Sequence, residues 1–210
     1  MPAYFEMSLQ FQRKDLYPGF IADFNRTLEQ AGLAFSSGFL EDDGLSREEI
    51  AVWNQKKLNE NFCLGMTEHY SHGYKQTLYR FRGYEEVRGY WMNQYPVKNA
   101  FTYFLIIPEY EVLEVNLTFR AEAVEELTGL AQRLWQFPPV RSIQTGLELS
   151  DPPLSLAELR RGQSPDACPF VILEPDCHPY DDGSRVVELT DGRPGLLLVE
   201  DDMLPIWKKP

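Results

Sequence analysis

Hydrophobic and polar residues alternate along the first stretch of the chain. Phe5, Met7, Leu9 and Phe11 fall on one side and Glu6, Ser8, Gln10 and Gln12 on the other. A period of two is that of a half-buried strand, here over residues 4 to 12. The pattern then turns helical: Phe20, Ile21, Phe24, Leu28 and Ala31 share a stripe, Asp15 can cap the helix, Pro18 is tolerated in its first turn and Gly32 stops it. Leu33 to Leu40 reads as a second strand, joined to the first by antiparallel pairing or a crossover. After the acidic turn Glu41-Asp42-Asp43-Gly44, Ser46 and Glu49 form a capping box for a helix to about Asn61. Its apolar face of Ile50, Trp53 and Leu58 is thin, so only one edge is expected to pack.

From Phe62 to Leu117 the pattern is β throughout, punctuated by Gly65, Gly73, Gly83, Gly89 and Pro96-Val97-Lys98-Asn99. It predicts a meander over 62–70, 74–82, 87–95, 100–107 and 109–117. Thr118 can cap a following helix over 119–135, with Val124, Leu127, Ala131 and Leu134 in one stripe and Glu122, Glu125 and Glu126 in the first turns, where the helix dipole favours them. Pro138-Pro139 forbid continuation. Val140 to Leu149 reads as a strand, and Ser150-Asp151-Pro152-Pro153 as the best boundary in the chain. A short helix at 155–161, strand 170–173, a Pro/Asp/His-rich loop over 174–184 and strands 185–190 and 195–200, joined by Asp191-Gly192, complete the reading.

The fold class expected is α+β: a mainly antiparallel sheet of about seven strands with helices packed on one face, plus a smaller β-rich C-terminal subdomain. Strands and helices do not alternate regularly after residue 62, which excludes a doubly wound fold. Residues 1–150 are expected to form the core domain, with 151–210 as a C-terminal extension that either stands apart or completes it.

Composition narrows the class of function. The chain has 210 residues, 43% of them hydrophobic, enough for a buried core. Its 32 acidic and 20 basic residues give a net charge of -12, which repels phosphate backbones and anionic lipid and favours a protein partner with a basic surface. The acid is unevenly spread. Residues 62–100 carry +2, whereas 101–150 carry -4 and 151–210 carry -6. No run approaches the roughly 20 apolar residues that span a bilayer, and the start lacks the basic and apolar regions of a secretory signal. Cys63, Cys168 and Cys177, odd in number and far apart, suit reduced thiols, with a Cys168 to Cys177 bridge left open. A cytoplasmic location is expected.

Motifs for chemistry are sparse. His69, His72 and His178 could join the cysteines as zinc ligands, but residues three apart diverge on a strand; polar loop histidines and buried thiols are the plainer expectation. A Cys-His nucleophile pair, Cys63 with His69 or Cys168 with His178, lacks any surrounding signature. The acidic clusters at 41–43, 181–182 and 200–202 read as solvated turns, and no phosphate loop, dinucleotide fingerprint or nucleophile elbow is present. No catalytic residue, metal or cofactor is assigned. The Met1-Pro2 start, running into a strand and a helix, resembles the opening of tautomerase-superfamily proteins over about thirty residues. That resemblance would imply a proline amine base at Pro2 and a substrate-binding cation at Arg13 or Lys14; the meander that follows has no counterpart in that family.

Twelve aromatics crowd residues 70–110, tyrosine foremost, together with Lys75, Arg80, Arg82, Arg88 and Lys98. Cross-strand aromatic pairs stabilise a packed sheet. The same residues can also build an interface or pocket, since tyrosine has an apolar body and a polar tip. The candidate binding residues are Tyr79, Tyr84, Arg88, Tyr90 and Trp91. Taken together, the sequence points to a non-catalytic cytoplasmic binding protein, such as an immunity-type inhibitor of a basic toxin. The alternative is a small-molecule-binding protein or enzyme with its pocket on the aromatic meander.

Overall fold

A computed structural model describes residues 3–63, 73–93, 99–177, 185–200 and 202. Its elements in chain order are β1 (Tyr4–Gln12), α1 (Phe20–Gln30), β2 (Ala34–Gly38), α2 (Arg47–Asn59), β3 (Thr77–Arg80), β4 (Val87–Met92), β5 (Ala100–Pro108), α3 (Glu109–Val112), α4 (Ala121–Trp135), β6 (Val140–Leu147), α5 (Leu156–Arg160), β7 (Phe170–Leu173), β8 (Arg185–Leu189) and β9 (Gly195–Val199). The fold is α+β with mainly antiparallel strands, nine rather than about seven. The chain divides into two compact units, residues 10–106 and residues 1–9 with 107–210.

In the 10–106 unit, β2, β3, β4 and β5 follow one another in the sheet, with the end of β1 beside β5. The two opening strands are therefore not partners, because β2 takes β3, in the register Phe35↔Tyr79. Gly19, in a left-handed conformation, is the N-cap of α1, and Pro18 lies outside the helix. The stripe Phe20, Ile21, Phe24 and Leu28 is buried as its spacing predicts. Phe11 gathers the core around it: ring centroids lie at 5.3 Å from Phe20, 5.4 Å from Phe24, 5.6 Å from Trp91 and 5.2 Å from Phe101. Full burial of side chains this size stabilises by roughly 1.5–3 kcal/mol each relative to exposure. The Ser46/Glu49 capping box opens α2. Asn54 then fastens the helix inward: its amide donates to the Lys75 carbonyl at 2.9 Å and its carbonyl accepts from the Lys75 amide at 2.8 Å. The first meander strand, 62–70, falls largely outside the described residues.

In the other unit, residues 4–9 of β1 are followed in the sheet by β6, β7, β9 and β8. The pairs β6–β7, β7–β9 and β8–β9 are antiparallel, with Ser142↔Leu173, Ile172↔Leu197 and Val187↔Leu197 in register. All four residues of β7 are buried, so it is covered on both faces. On one of those faces α5, opened by a Ser155/Glu158 capping box, packs Leu156 and Leu159 against Val171, Leu173 and Leu198. Helix α4 buries Val124, Leu127, Leu130, Ala131 and Leu134. β1 is less amphipathic than its alternation suggests, because Ser8 and Gln10 on its polar side are buried too. Ser8 Oγ donates to the Gln144 carbonyl at 3.1 Å, so burying the hydroxyl leaves no unmet hydrogen bond.

Residues 109–117 do not form the predicted strand. β5 ends at Pro108, which has no amide to donate, and one helical turn, α3, follows. A tight turn then closes on an isolated bridge between Leu113 and Phe119. Thr118 belongs to this turn, and Arg120 takes the N-cap of α4 without a side-chain cap.

Candidate interaction surface

The five candidate residues of the aromatic meander lie on different sides of their sheet. β4 buries Val87, Gly89 and Trp91 and turns Arg88, Tyr90 and Met92 the other way. Trp91 packs on Phe11, Phe20, Phe24 and, at 4.7 Å, Tyr103. Tyr79 shares this face, its hydroxyl 2.7 Å from that of Tyr103. Burial pushes the Tyr79 hydroxyl up to about 12 and that of Tyr103 well above its ordinary value. On the opposite face Tyr90 stacks on Phe104 at 5.2 Å, and the Arg88 guanidinium lies 4.3 Å over Phe39 with Glu86 at 3.6 Å. Tyr84 stacks on Phe81 beside the turn.

His69, His72, His178 and Pro2 lie outside the described residues, as do Asp181, Asp182 and Asp201. Among the described residues no group of histidine, cysteine and carboxylate side chains could hold a metal. Cys168 and Cys177 are separate buried thiols, both pushed up to about 11 by burial and by nearby carboxylates. Arg13 is spent within its own unit: its guanidinium donates to the Leu58 carbonyl at 2.7 Å and lies 5.5 Å from the centre of the Phe101 ring. An open groove of about 500 Å³ runs beside α1 and α2, lined by Ala22, Ala51, Val52 and Gln55 among others, without a convergent set of acid, base and nucleophile. Among the described residues no helix is long and apolar enough to cross a membrane.

Charge separates the units more sharply than the linear count suggests. Residues 1–9 and 107–210 hold 20 acidic and 9 basic residues, a net charge of -11, which leaves -1 for residues 10–106. Part of this acid gathers around the start of β1. The Glu109 amide donates to the Ala3 carbonyl, the Glu148 amide donates to the Tyr4 carbonyl, and the Tyr4 amide donates to Glu148 Oε2 at 3.1 Å. The chain crossings thereby hold Glu148 within electrostatic reach of both Glu6 and Glu109. Burial raises the Glu6 carboxyl above its usual range and Glu148 raises it further. The same two causes raise Glu109, against an opposing backbone hydrogen bond from Glu148. Glu148 thus repels both, and a cation placed beside it would relieve them.

Exposed large apolar groups occur in both units, Leu40 and Val52 in residues 10–106 among them, and the three most exposed among the described residues stand in the acidic unit. Val115 is fully exposed, Leu117 is 75% exposed and Leu149, next to Glu148, is 94% exposed. Val115 and Leu117 stand at the tip of the 114–118 turn. The Leu117 amide donates to the Glu114 carbonyl at 2.9 Å and the Glu114 amide to the Thr118 carbonyl at 2.8 Å. Asn116 Oδ1 accepts from the Thr118 hydroxyl at 2.8 Å. The base is fixed in the core by Leu113 and Phe119, whose ring meets Phe5 edge-on at 6.1 Å. Leu117 has φ +65°, a left-handed conformation that costs a non-glycine residue about 1–2 kcal/mol. Periodicity alone did not single out this turn, since Glu-Val-Asn-Leu-Thr fits the period-two template; the clues are Pro108 upstream and Asn116, a turn former.

No protein-family model matches the chain, and no curated protein matches it. Among solved structures, the Pseudomonas aeruginosa T6SS protein PA0821 is similar at a TM-score of 0.34 and 12% identity, over 94% of this chain. The chain spans 65% of the length of that protein's chain. A similarity of that degree transfers no function.

Proposed function

We propose that the protein is a non-catalytic binding protein whose acidic unit engages a protein partner with a basic surface, in the manner of an immunity-type inhibitor. The observation that carries this reading is the placement of -11 of the net -12 charge in the unit of residues 1–9 and 107–210. Complementary charge speeds encounter and suppresses wrong partners, and inhibition by occlusion requires no catalytic group. The repulsion of Glu6 and Glu109 by Glu148 is a cost in the free protein that a lysine or arginine of the partner would remove. The cytoplasm is the compartment that goes with this reading.

The test is capture of partners from the native host at low ionic strength, followed by reconstitution. The expected result is a basic protein that elutes as salt is raised and loses its own activity on addition of an equimolar amount of this chain. Recovery of acidic or neutral proteins alone, or a complex indifferent to salt, would refute the reading.

A second reading rests on the face carrying Arg88 and Tyr90, whose half-buried polar ends beside Phe39 and Phe104 suit a small aromatic or anionic ligand. It would make the chain a small-molecule-binding protein or an enzyme with its pocket on residues 70–110. A hydrogen-exchange footprint on the partner complex separates the two.

A further inference from the structure

We propose that the 114–118 turn is the docking element of the acidic unit, and that Val115 and Leu117 enter an apolar pocket rimmed by lysine or arginine on a protein partner. This rests on the reading of the chain as a binder of a basic protein and names the part that confers specificity. Three observations carry it.

The apolar side chains at the tip are placed where folding gains nothing from them. Val115 is fully exposed and Leu117 three-quarters exposed, while Leu113 and Phe119 at the base of the same turn are 7% and 1% exposed. A turn needs polar or small residues at its tip for its own sake, and exposed apolar side chains grouped together mark interaction sites. The tip is also rigid. Two backbone hydrogen bonds, the Asn116–Thr118 bond and the Leu113–Phe119 bridge hold it, and the Arg120 amide donates to the Val112 carbonyl just outside it. An apolar anchor held in one conformation loses little entropy when it binds.

Charge complementarity fixes the chemistry of the occupant. Glu114 lies on the turn itself, Glu111 on α3 just before it, and Glu122 and Glu125 on the opening turns of α4 that follows. Arg120, the basic residue nearest the tip in sequence, is turned back onto the Leu113 carbonyl at 3.1 Å. A lipid surface fits poorly, since anionic headgroups would meet the unit with the net charge of -11. A basic protein surface with an apolar recess satisfies both the two anchors and the acidic flank.

The test compares the full chain with its Val115→Ser/Leu117→Asn variant. Asparagine tolerates the left-handed conformation at 117, so the turn survives while its apolar tip is lost. The probes are two cationic peptides of about 18 residues each: an amphipathic helix of lysine and leucine, and oligolysine. Titrations followed by amide chemical shifts are run at about 50 mM salt, where screening is weak. The expected result is that the lysine/leucine peptide binds the full chain more tightly than oligolysine does, shifts residues 113–119, and loses about ten- to hundred-fold in affinity for the variant. Equal affinity of the variant, or equal binding of the two peptides, overturns the docking role of the turn and leaves the acidic-partner reading standing. Failure of both peptides to bind the full chain overturns that reading as well.

Discussion

The hydroxyls of Tyr79 and Tyr103 meet at 2.7 Å in the core of the 10–106 unit, in a space left open by Gly89. A Cβ at position 89 would lie 2.0 Å from the Tyr103 hydroxyl and 2.8 Å from the Tyr79 ring. The Tyr103 ring cannot retreat, because it is packed on Phe24 and Trp91. Gly89→Ala is therefore expected to destabilise by about 2–4 kcal/mol, an overpacking effect at the upper end of its range. Urea unfolding checks it.

The same pair sets an alkaline limit. Both hydroxyls have folded pKa values raised by burial, to about 12 for Tyr79 and well above the ordinary tyrosine value for Tyr103. A raised value means that the folded state keeps the proton longer, so the stability it contributes is intact below the unfolded value near 10 and is lost as pH rises through about 12. Stability should fall from about pH 10 upward, and Tyr79 and Tyr103 should ionise only with unfolding. Tyrosinate absorbance and circular dichroism, followed together, should then move in one step in that range.

Glu174 collects three arginines: Arg141 at 3.0 Å, Arg160 at 2.8 Å and Arg193 at 3.4 Å, the last also lying 4.0 Å over Trp135. Burial pushes its carboxyl up, but Arg141 and Arg160 outweigh burial and leave it lowered. Glu174→Gln removes the charge these arginines share and is expected to cost about 1–3 kcal/mol. The loss should show in thermal unfolding at neutral pH and shrink as pH falls through the lowered carboxyl value, where the original residue is itself protonated.

Glu6 and Glu109 have the opposite sign. Their raised carboxyls contribute stability that is present below the unfolded value and lost as pH rises through the folded one. Mild acidification from neutral pH should therefore stabilise the protein, until protonation of Glu174 reverses the trend. Glu6→Gln is expected to raise stability at neutral pH by about 0.5 kcal/mol and to flatten the rise. The same substitution should weaken binding to a basic partner, which joins stability and function at one carboxylate. Melting temperature against pH, for the protein and the Glu6→Gln variant, decides it.

Much of the fold is legible because its signals are local. The alternation of β1, the stripe of α1, the Ser46/Glu49 box and the Asp191-Gly192 turn each depend on a few neighbouring residues. What could not be read depends on residues far apart. That Ser8 and Gln10 are buried follows from β1 having both faces covered, and Gln144 accepts the hydrogen bond of Ser8 from 136 residues away. Tyrosine-rich composition suggested a half-exposed surface, yet Tyr79 and Tyr103 are core residues because each satisfies the other's hydroxyl. Glu6, Glu109 and Glu148 are unremarkable in the sequence, and Glu148 comes near the other two only through the crossings at Ala3 and Tyr4. Of the acidic clusters that do stand out in the sequence, Glu41 and Asp42 lie in a single 3-10 turn.

Partner binding is proposed for the acidic unit. Hydrogen–deuterium exchange on the complex with the captured basic protein tests that most directly. Protection over residues 109–126 and 147–151, with β3 and β4 unchanged, is the predicted result; protection confined to the segment of Arg88 and Tyr90 would contradict it.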